Sequence, residues 1–542
     1  MFVLLRLIIL TLFATSVLAS DLSLNSALES RLSRRVLFHG HVKLMREAHM
    51  RKYYLQNGEN GATPIWYLND ILTQDALALF DRIRQSRQDG LRPREYHLSS
   101  LNELISRPVL GIEEKVDIEL LLTDSFLNYA HHLLNGRTRP ALADPEWHIA
   151  RPAVPDAESL LAQISRGKSL NSLLDEAAPQ EQGYHRLRAA LKSYLAIQDL
   201  GGWRWRPAGK FLKLGEKGQS VQQLNKLLVL TGDLVEDPNP LIQGLSEPIF
   251  DQYMSAGLRR FQLRHGLMGT GIIDTPTSHA LSLSIGERII QIELNLERWR
   301  WLPRKLERPA VVVNAPEFGL EVLDEKGRVL SMKVVIGKQL RRTPVFAGKI
   351  ETVIFNPKWI VPDRIAIEDL LPTIRRNSGM LKRKGIRVYR WKGTRLIEFA
   401  PRTIQWQKIT ADNFDFQFVQ DPGPENVQGK FKFVFPNPFG VYLHDTPTKS
   451  LFEQNFRTFS SGCIRVENAL ELAEYLFKKI DGQNWEQIRE ISEKGATQEV
   501  AFLSKIPVYL LYWTAWVGDD NLLQFRNDIY GRDALLRSVL AY

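Results

Sequence analysis

Two side chains in the C-terminal half of this sequence could act together as a nucleophile and its base. Cys463 is the only cysteine among 542 residues, and His444 is the only histidine after His279. A thiol is only a few per cent thiolate at neutral pH, so an acyl-transfer enzyme places a base or a cation beside it. The two residues therefore suggest a nucleophilic Cys/His pair.

The elements on either side of the pair can be predicted from local patterns. Alternation of apolar and polar side chains predicts a strand over residues 440–446, with Tyr442 and His444 on one face. Asp445 would point to the other face, which argues against Asp445 as the group that orients the imidazole. The Ser-Ser-Gly run before Cys463 predicts a tight turn whose N–H groups, including that of Gly462, could bind an oxyanion.

Two further features follow the thiol in the sequence. Arg465 would lie close enough to favour a thiolate or to bind a substrate carboxylate. Asn468 can cap an amphipathic helix. Its apolar side would consist of Leu470, Ala473, Leu476, Phe477 and Ile480.

The alternative is that Cys463 is an inert core residue, which is the commonest role of a lone cysteine. Two observations count against this interpretation. The neighbours of Cys463 are small and polar, and the protein is predicted to be exported, as the N-terminus indicates. A lone thiol in an oxidising compartment calls for a functional reason.

These residues resemble the signature of L,D-transpeptidases with a YkuD-type catalytic domain. The resemblance rests on His444, the Ser-x-Gly-Cys run ending at Cys463, and Arg465. The usual signature has histidine directly before Gly-Cys, whereas Ser461 stands there in this sequence. That departure is typical of the large, multi-domain, YcbB-like branch, which residues 356–362 and 443–447 also resemble.

The resemblance implies an enzyme that acylates Cys463 with a peptidoglycan tetrapeptide stem, releases D-alanine and forms 3-3 cross-links. His444 would be the general base and acid. Residues that would shape the substrate site are Arg465, Tyr442, Ser461 and Trp359. Peptidoglycan stem peptides would be the substrates, with peptidoglycan synthases as further partners and carbapenem-type β-lactams as covalent inhibitors. No metal or organic cofactor is implied.

Three other functions remain open at this stage. The protein could be an L,D-carboxypeptidase or endopeptidase that passes the acyl group to water. It could instead transfer the acyl group to a lysine of an outer-membrane lipoprotein. No motif in the sequence indicates which acceptor is used. It could also bind peptidoglycan without catalysis, although His444 and Cys463 are both intact.

The N-terminus predicts export. Residues 1–19 contain one basic residue, Arg6, and an apolar run that ends at a signal-peptidase-like Val-Leu-Ala site. The run is shorter than the ~20 apolar residues of an ordinary transmembrane helix. An uncleaved inner-membrane anchor is the alternative. With the resemblance, this predicts the periplasm of a Gram-negative bacterium.

Composition predicts a large folded protein with an acidic partner. An apolar fraction of 44% and 12 tryptophans supply packed cores, and the length suggests three or four domains of ~150 residues. The net charge of +10 fits anionic lipid headgroups or peptidoglycan carboxylates, or simply a solvated basic surface. No nucleic-acid motif is present, so we expect no nucleic-acid partner.

The domain prediction is a multi-domain α+β protein. Helical periodicity over 20–205 includes Gln74–Ser86 and Val116–Leu134, and the resemblance implies that this segment is a scaffold domain. Residues 206–286 should form three helices and resemble a type 1 peptidoglycan-binding domain. A linker helix within 287–307 precedes a β-rich catalytic domain at 308–500, with a helical lid insertion at about 363–420. Residues 501–542 are predicted as a strand and a polar tail.

Overall fold

The computed structural model describes residues 24–35, 37–38, 42–56, 62–151, 153–205, 212–234 and 248–542. The predicted signal segment, residues 1–19, lies outside these ranges. Among the helices that are described, none is both long and apolar enough to cross a membrane.

The N-terminal part is helical and is organised around one long helix, Ile112–Asn135. This helix and Gln74–Arg84 confirm the two predicted helices, with every end within four residues of its predicted position. Glu119 is fully buried on the long helix because its carboxylate accepts hydrogen bonds from the Tyr54 hydroxyl and from two main-chain N–H groups. Burial raises the pKa of Glu119 to about 7. Further helices here are residues 24–33, Glu47–Gln56, Leu98–Ile105, Pro140–Ala143, Ala157–Ile164, Leu170–Ala177 and Gln182–Asp199.

The next segment contains the three helices predicted for it. They are Gln219–Leu230, Gln252–Arg264 and Thr275–Ser282. The second and third are capped in the same way: Asp251 and Asp274 each accept a hydrogen bond, at 2.8 Å, from the N–H three residues on. The peptidoglycan-binding role of this segment stays a prediction.

The predicted linker helix forms at Ile285–Arg300 and packs between the helical part and the C-terminal part. Its Trp299 stacks on Trp513 with ring centroids 4.5 Å apart, and its Arg298 donates to the Asp533 carboxylate at 2.6 Å. From the same helix, Arg300 donates to the main-chain oxygen of Asp89. One buried helix therefore holds the two halves together.

Nine strands of the C-terminal part form one sheet. In chain order they are β1 Ala310–Asn314, β2 Gly319–Asp324, β3 Gly327–Gly337, β4 Phe346–Phe355, β5 Phe431–Val434, β6 Leu443–His444, β7 Thr458–Ser460, β8 Ile464–Val466 and β9 Gln498–Leu511. The spatial order is β7-β3-β8-β6-β5-β4-β9-β1-β2, and β2 also pairs with β3. This last pairing closes the sheet into a barrel.

Alternation along the strands divides their side chains between the two faces of the barrel. Val334, Leu443 and Ile464 point inward and belong to the main hydrophobic core. Val335 is fully buried yet lies outside that core, because it points to the outer face. The candidate nucleophile and base, Cys463 and His444, also lie on that outer face.

The insertion between β4 and β5 is not purely helical, which corrects the sequence-based expectation. Beside short helices such as Leu371–Arg376 and Gly379–Arg383, it contains the strands Ile386–Lys392, Arg395–Phe399 and Phe416–Gln420. It has a separate hydrophobic core that includes Trp406 and Phe418. In the first two of these strands only Ile386 and Val388 are buried, so the apolar alternation in the sequence is too short to predict them.

The C-terminus is also more ordered than the predicted polar tail. Strand β9 begins at Gln498 and is a central strand of the barrel sheet, paired with β4 on one side and β1 on the other. After it come a hairpin, Ala515–Val517 with Leu523–Phe525, and the helix Arg532–Val539. Asp533 of this last helix forms an ion pair with Arg298 of the linker helix. The predicted polar tail is therefore part of the packed structure.

The helix after Cys463 forms largely as predicted. It runs over Ala469–Glu474 and continues as a π-helix over Tyr475–Ile480. Leu470, however, is 49% exposed, and the buried positions are Ala469, Leu472, Ala473, Leu476 and Phe477. Asn468 is at the N-cap position, but its side chain makes no capping hydrogen bond.

Substitution of Gly337 should destabilise the turn after β3. A Cβ at this position would lie inside contact distance of the Arg341 main-chain oxygen and 2.9 Å from the Thr343 nitrogen. We expect Gly337→Ala to lower the free energy of unfolding by about 1–3 kcal/mol, measured by thermal or denaturant unfolding. Gly286→Ala is the control, because its Cβ would meet nothing closer than 3.7 Å. Equal stability of the two variants would contradict this packing.

Candidate active site

The register of two short strands brings the predicted nucleophile and base to one surface. Strands β6 and β8 are parallel, with Leu443 opposite Ile464 and His444 opposite Arg465. Since Leu443 and Ile464 point inward, Tyr442, His444, Cys463 and Arg465 must all point outward. The predicted sharing of a face by Tyr442 and His444 is confirmed by their ring centroids, which are 5.5 Å apart.

A main-chain carbonyl orients the imidazole of His444. Nδ1 lies 2.6 Å from the Asp445 carbonyl oxygen, so Nδ1 must carry the proton and Nε2 is the free basic atom. The Asp445 carboxylate instead accepts hydrogen bonds from the Lys430 N–H and the Lys449 ammonium. Burial and the Arg465 charge lower the pKa of His444 to about 3. The imidazole is therefore neutral, and available as a base, at neutral pH.

Cys463 is half-buried in the turn between β7 and β8, with Sγ 3.6 Å from the Gly440 carbonyl oxygen. Burial raises the pKa of its thiol above the ordinary value. Tyr442, Lys432 and Arg465 all act in the opposite direction, but burial is the largest effect. The sequence predicted that Arg465 would favour a thiolate. Arg465 does lower the pKa of Cys463, but burial raises this pKa by more. The resting pair is a neutral thiol and a neutral imidazole.

The sequence reasoning missed two residues of this surface, Lys432 and Gln428. Lys432 lies on β5 opposite His444, with its ammonium nitrogen 4.0 Å from the Tyr442 ring centroid. Gln428 donates through Nε2 to the Tyr442 hydroxyl at 2.7 Å. Burial raises the pKa of Tyr442, so its phenol keeps a proton to donate towards Cys463. The alternation of Phe431 and Phe433 with Lys432 could have predicted strand β5. It could not have predicted that β5 pairs with the strand that carries His444.

Arg465 is a cation with unused hydrogen-bonding capacity. Its Nε is buried and has no hydrogen-bond partner among the described residues. Burial lowers its pKa, an effect that the nearby Cys463 opposes. This position suits a guanidinium that receives a carboxylate when a ligand enters.

The turn that carries Cys463 is fixed by hydrogen bonds on both sides. Gly462 has φ 117°, a conformation that favours glycine, and its carbonyl accepts a hydrogen bond from Thr343 Oγ1 at 2.9 Å. The Gly462 N–H donates to Ser460 Oγ at 3.1 Å, so in this geometry it is not free to bind an oxyanion. The Cys463 N–H has no acceptor among the described residues and is the better placed donor.

Ser461 joins the turn to the insertion through one arginine. Arg341 donates to Ser461 Oγ at 2.8 Å and also to the carboxylates of Asp369 and Glu368. Arg341 is only 8% exposed, and its hydrogen bond lowers the pKa of Asp369. The insertion is therefore attached to the segment beside Cys463 by charge-assisted hydrogen bonds from a buried arginine to two partly exposed carboxylates.

Trp359 was predicted to shape the same site, but the structure buries it in the core of the insertion. It is 8% exposed and pairs with Gln420 in the insertion's sheet. Any contribution to substrate binding would therefore be indirect.

In the part of the chain that is described, no group of three or more His, Cys, Asp or Glu side chains could hold a metal ion. The outer surface at Cys463 carries a thiol, an imidazole, a phenol and two cations. This set can perform nucleophilic acyl transfer on a substrate that bears a carboxylate.

Comparison with known proteins agrees with this chemistry. A model of the L,D-transpeptidase catalytic domain matches residues 308–481, and a model of a scaffold domain matches residues 48–191. Residues 308–481 are thus a YkuD-type L,D-transpeptidase catalytic domain. The order of scaffold and catalytic domains is consistent with the YcbB-like branch.

A relative in Haemophilus influenzae carries the name "Putative L,D-transpeptidase". It is 31% identical to this chain over 245 residues, which is 45% of this chain and 48% of the relative. The match thus spans about half of the relative's length.

The raised pKa of the Cys463 thiol predicts slow alkylation at neutral pH. Iodoacetamide modification, followed by intact mass, should reach half its maximal rate above the ordinary thiol pKa of about 8.5. Lys432→Met removes a cation that favours the thiolate, so it should move this midpoint to higher pH. Lys430→Met, an exposed lysine two residues earlier, should not. A wild-type midpoint below the ordinary thiol pKa would contradict the neutral resting pair.

Loss of Arg341 should loosen the insertion. Arg341→Ala leaves Asp369 and Glu368 without their shared partner, so hydrogen exchange over residues 363–376 should accelerate by about 10-fold or more. Arg342→Ala is the matched control, because the Arg342 Nε donates only to the main-chain oxygen of Gln339. Unchanged exchange in Arg341→Ala would show that the ion pairs do not hold the insertion.

Proposed function

We propose that this protein is a periplasmic L,D-transpeptidase that forms 3-3 cross-links between peptidoglycan stems. The observation that carries the proposal is the β6–β8 register, which brings Cys463 and His444 to one surface within a YkuD-type domain. The predicted signal segment and the peptidoglycan-binding resemblance of residues 206–286 fit the same polymer.

In the proposed first half-reaction, His444 Nε2 removes the Cys463 proton as Sγ attacks the acyl carbon of the third stem residue, diaminopimelate. Burial disfavours a free thiolate, so proton transfer should accompany the attack rather than precede it. The Cys463 N–H supports the oxyanion of the tetrahedral intermediate. His444 then returns the proton to the departing nitrogen, and D-alanine leaves with an intact amino group.

In the second half-reaction, the side-chain amine of another stem attacks the thioester carbon. His444 takes a proton from this amine, the C–S bond breaks, and Cys463 regains its thiol. Arg465 is placed to bind a stem carboxylate, and the Tyr442 phenol supports the sulfur as negative charge develops. The insertion, attached through Arg341, would keep water away from the thioester and so favour an amine acceptor.

The direct test incubates wild-type protein, Cys463→Ala and His444→Ala with tetrapeptide-bearing muropeptides and reads the products by intact mass. We expect wild-type protein to form dimers that lack one D-alanine. Cys463→Ala should form none, and His444→Ala should be slower by about 100-fold or more.

The other outcomes separate the competing functions. Tripeptide monomers without dimers would indicate an L,D-carboxypeptidase. Absence of all products, with peptidoglycan still bound, would indicate a non-catalytic binding protein. Dimers from Cys463→Ala would rule out this residue as the nucleophile.

A further inference from the structure

A cavity of about 370 Å³ opens on the outer face of the barrel, beside the middle of β3. Its walls include Ser331 and Lys333 of β3, Glu467 after β8, and the two tryptophans Trp513 and Trp516 that follow β9. We call it the β3 cavity. Its volume lies in the range of about 300–1,000 Å³ that is typical of small-ligand sites.

The β3 cavity shares a face with Cys463. Lys333 and Val335 lie on the same side of β3, and Val335 is opposite Arg465 of β8. The Glu467 N–H donates to the Lys333 carbonyl at 3.1 Å, so the two strand ends remain side by side at the cavity. Glu467 is four residues beyond Cys463, a distance of about 13 Å at ~3.3 Å per residue.

The charges that line the cavity balance each other. Three are acidic and three are basic, namely Glu317, Glu321, Glu467, Arg328, Lys333 and Arg457. Arg328 donates to Glu321 at 3.1 Å, and Lys333 lies 3.8 Å from Glu467. A cavity with no net charge is suited to an uncharged polar ligand rather than to an anion.

The aromatic wall supplies a surface for a ring and one unused donor. Trp513 is held in place by its stacking on Trp299. Its Nε1–H is buried and has no hydrogen-bond partner among the described residues. Burying a donor without a partner is costly, so a ligand that accepts this hydrogen bond would gain affinity. Indole faces beside carboxylates match a sugar ring, which has apolar C–H faces and polar hydroxyl and acetamido edges.

We propose that the β3 cavity binds an N-acetylated amino sugar of the glycan strand whose stem peptide occupies the Cys463 site. This inference rests on the proposed function. Three residues separate the sugar from the attacked carbonyl, and extended they span about 10–11 Å. The lactyl ether that joins peptide and sugar accounts for the remainder of the distance to the cavity. Substrate would thus be recognised at both its sugar and its peptide.

The test compares D-alanine release from a disaccharide-tetrapeptide and from the free tetrapeptide. Wild-type protein should have a KM lower by about 2- to 10-fold for the disaccharide form, the range expected for one aromatic contact. Trp516→Ala should remove this preference without changing kcat or the kinetics of the free tetrapeptide. Trp513→Phe, which keeps the ring and removes the donor, should reduce the preference. Trp391→Ala, an exposed tryptophan of the insertion, is the control and should retain it.

Equal KM values for the two substrates in wild-type protein would overturn the proposal, as would a Trp516→Ala defect that is the same for both. Release of D-alanine from neither substrate would contradict the proposed function instead. In that case, calorimetric titration of Cys463→Ala with an N-acetylglucosamine tetramer tests the cavity directly. Binding that Trp516→Ala abolishes would support the sugar site, and absence of binding would refute it.

Discussion

The parallel pairing of β6 with β8 is the constraint on which the site depends. Both strands are very short, but their inward residues Leu443 and Ile464 are fully buried in the barrel core. A shift by one residue would turn these side chains outward and send His444 and Cys463 into the core. The core therefore fixes the register, and the register brings the thiol, the imidazole and Arg465 to one surface. Closure of the barrel by β2 and β3 extends the same surface to the β3 cavity.

Burial then determines the charge state of the pair. It raises the pKa of Cys463 and lowers that of His444, so both groups are neutral at rest despite two nearby cations. A neutral pair avoids the desolvation cost of an ion pair and leaves the proton transfer to the moment of attack. The Arg341 ion pairs attach the insertion, a segment with a hydrophobic core of its own, to Ser461, two residues before Cys463.

Local patterns predicted much of this arrangement. The motif around Cys463, the shared face of Tyr442 and His444, and the long helices all follow from spacing and periodicity. Lys432 was missed because it reaches the site through the pairing of β5 with β6. Gln428 and Arg341 were missed because they reach it from turns, through hydrogen bonds to residues far away in sequence. Two strands of the insertion were missed because they bury few side chains: Ile386–Lys392 buries two and Arg395–Phe399 buries none. Trp359 was placed at the site by its motif, whereas the structure packs it into the insertion's core.

The most direct test of the central claim is to trap the acyl group on the protein. Wild-type protein is incubated with a tetrapeptide muropeptide in which the acceptor amine is blocked, then quenched in acid and analysed by intact mass and peptide mapping. The account predicts an adduct equal to the donor minus D-alanine, located on Cys463 and released by hydroxylamine. Release of D-alanine with no adduct on Cys463, or with an adduct on another residue, would contradict it.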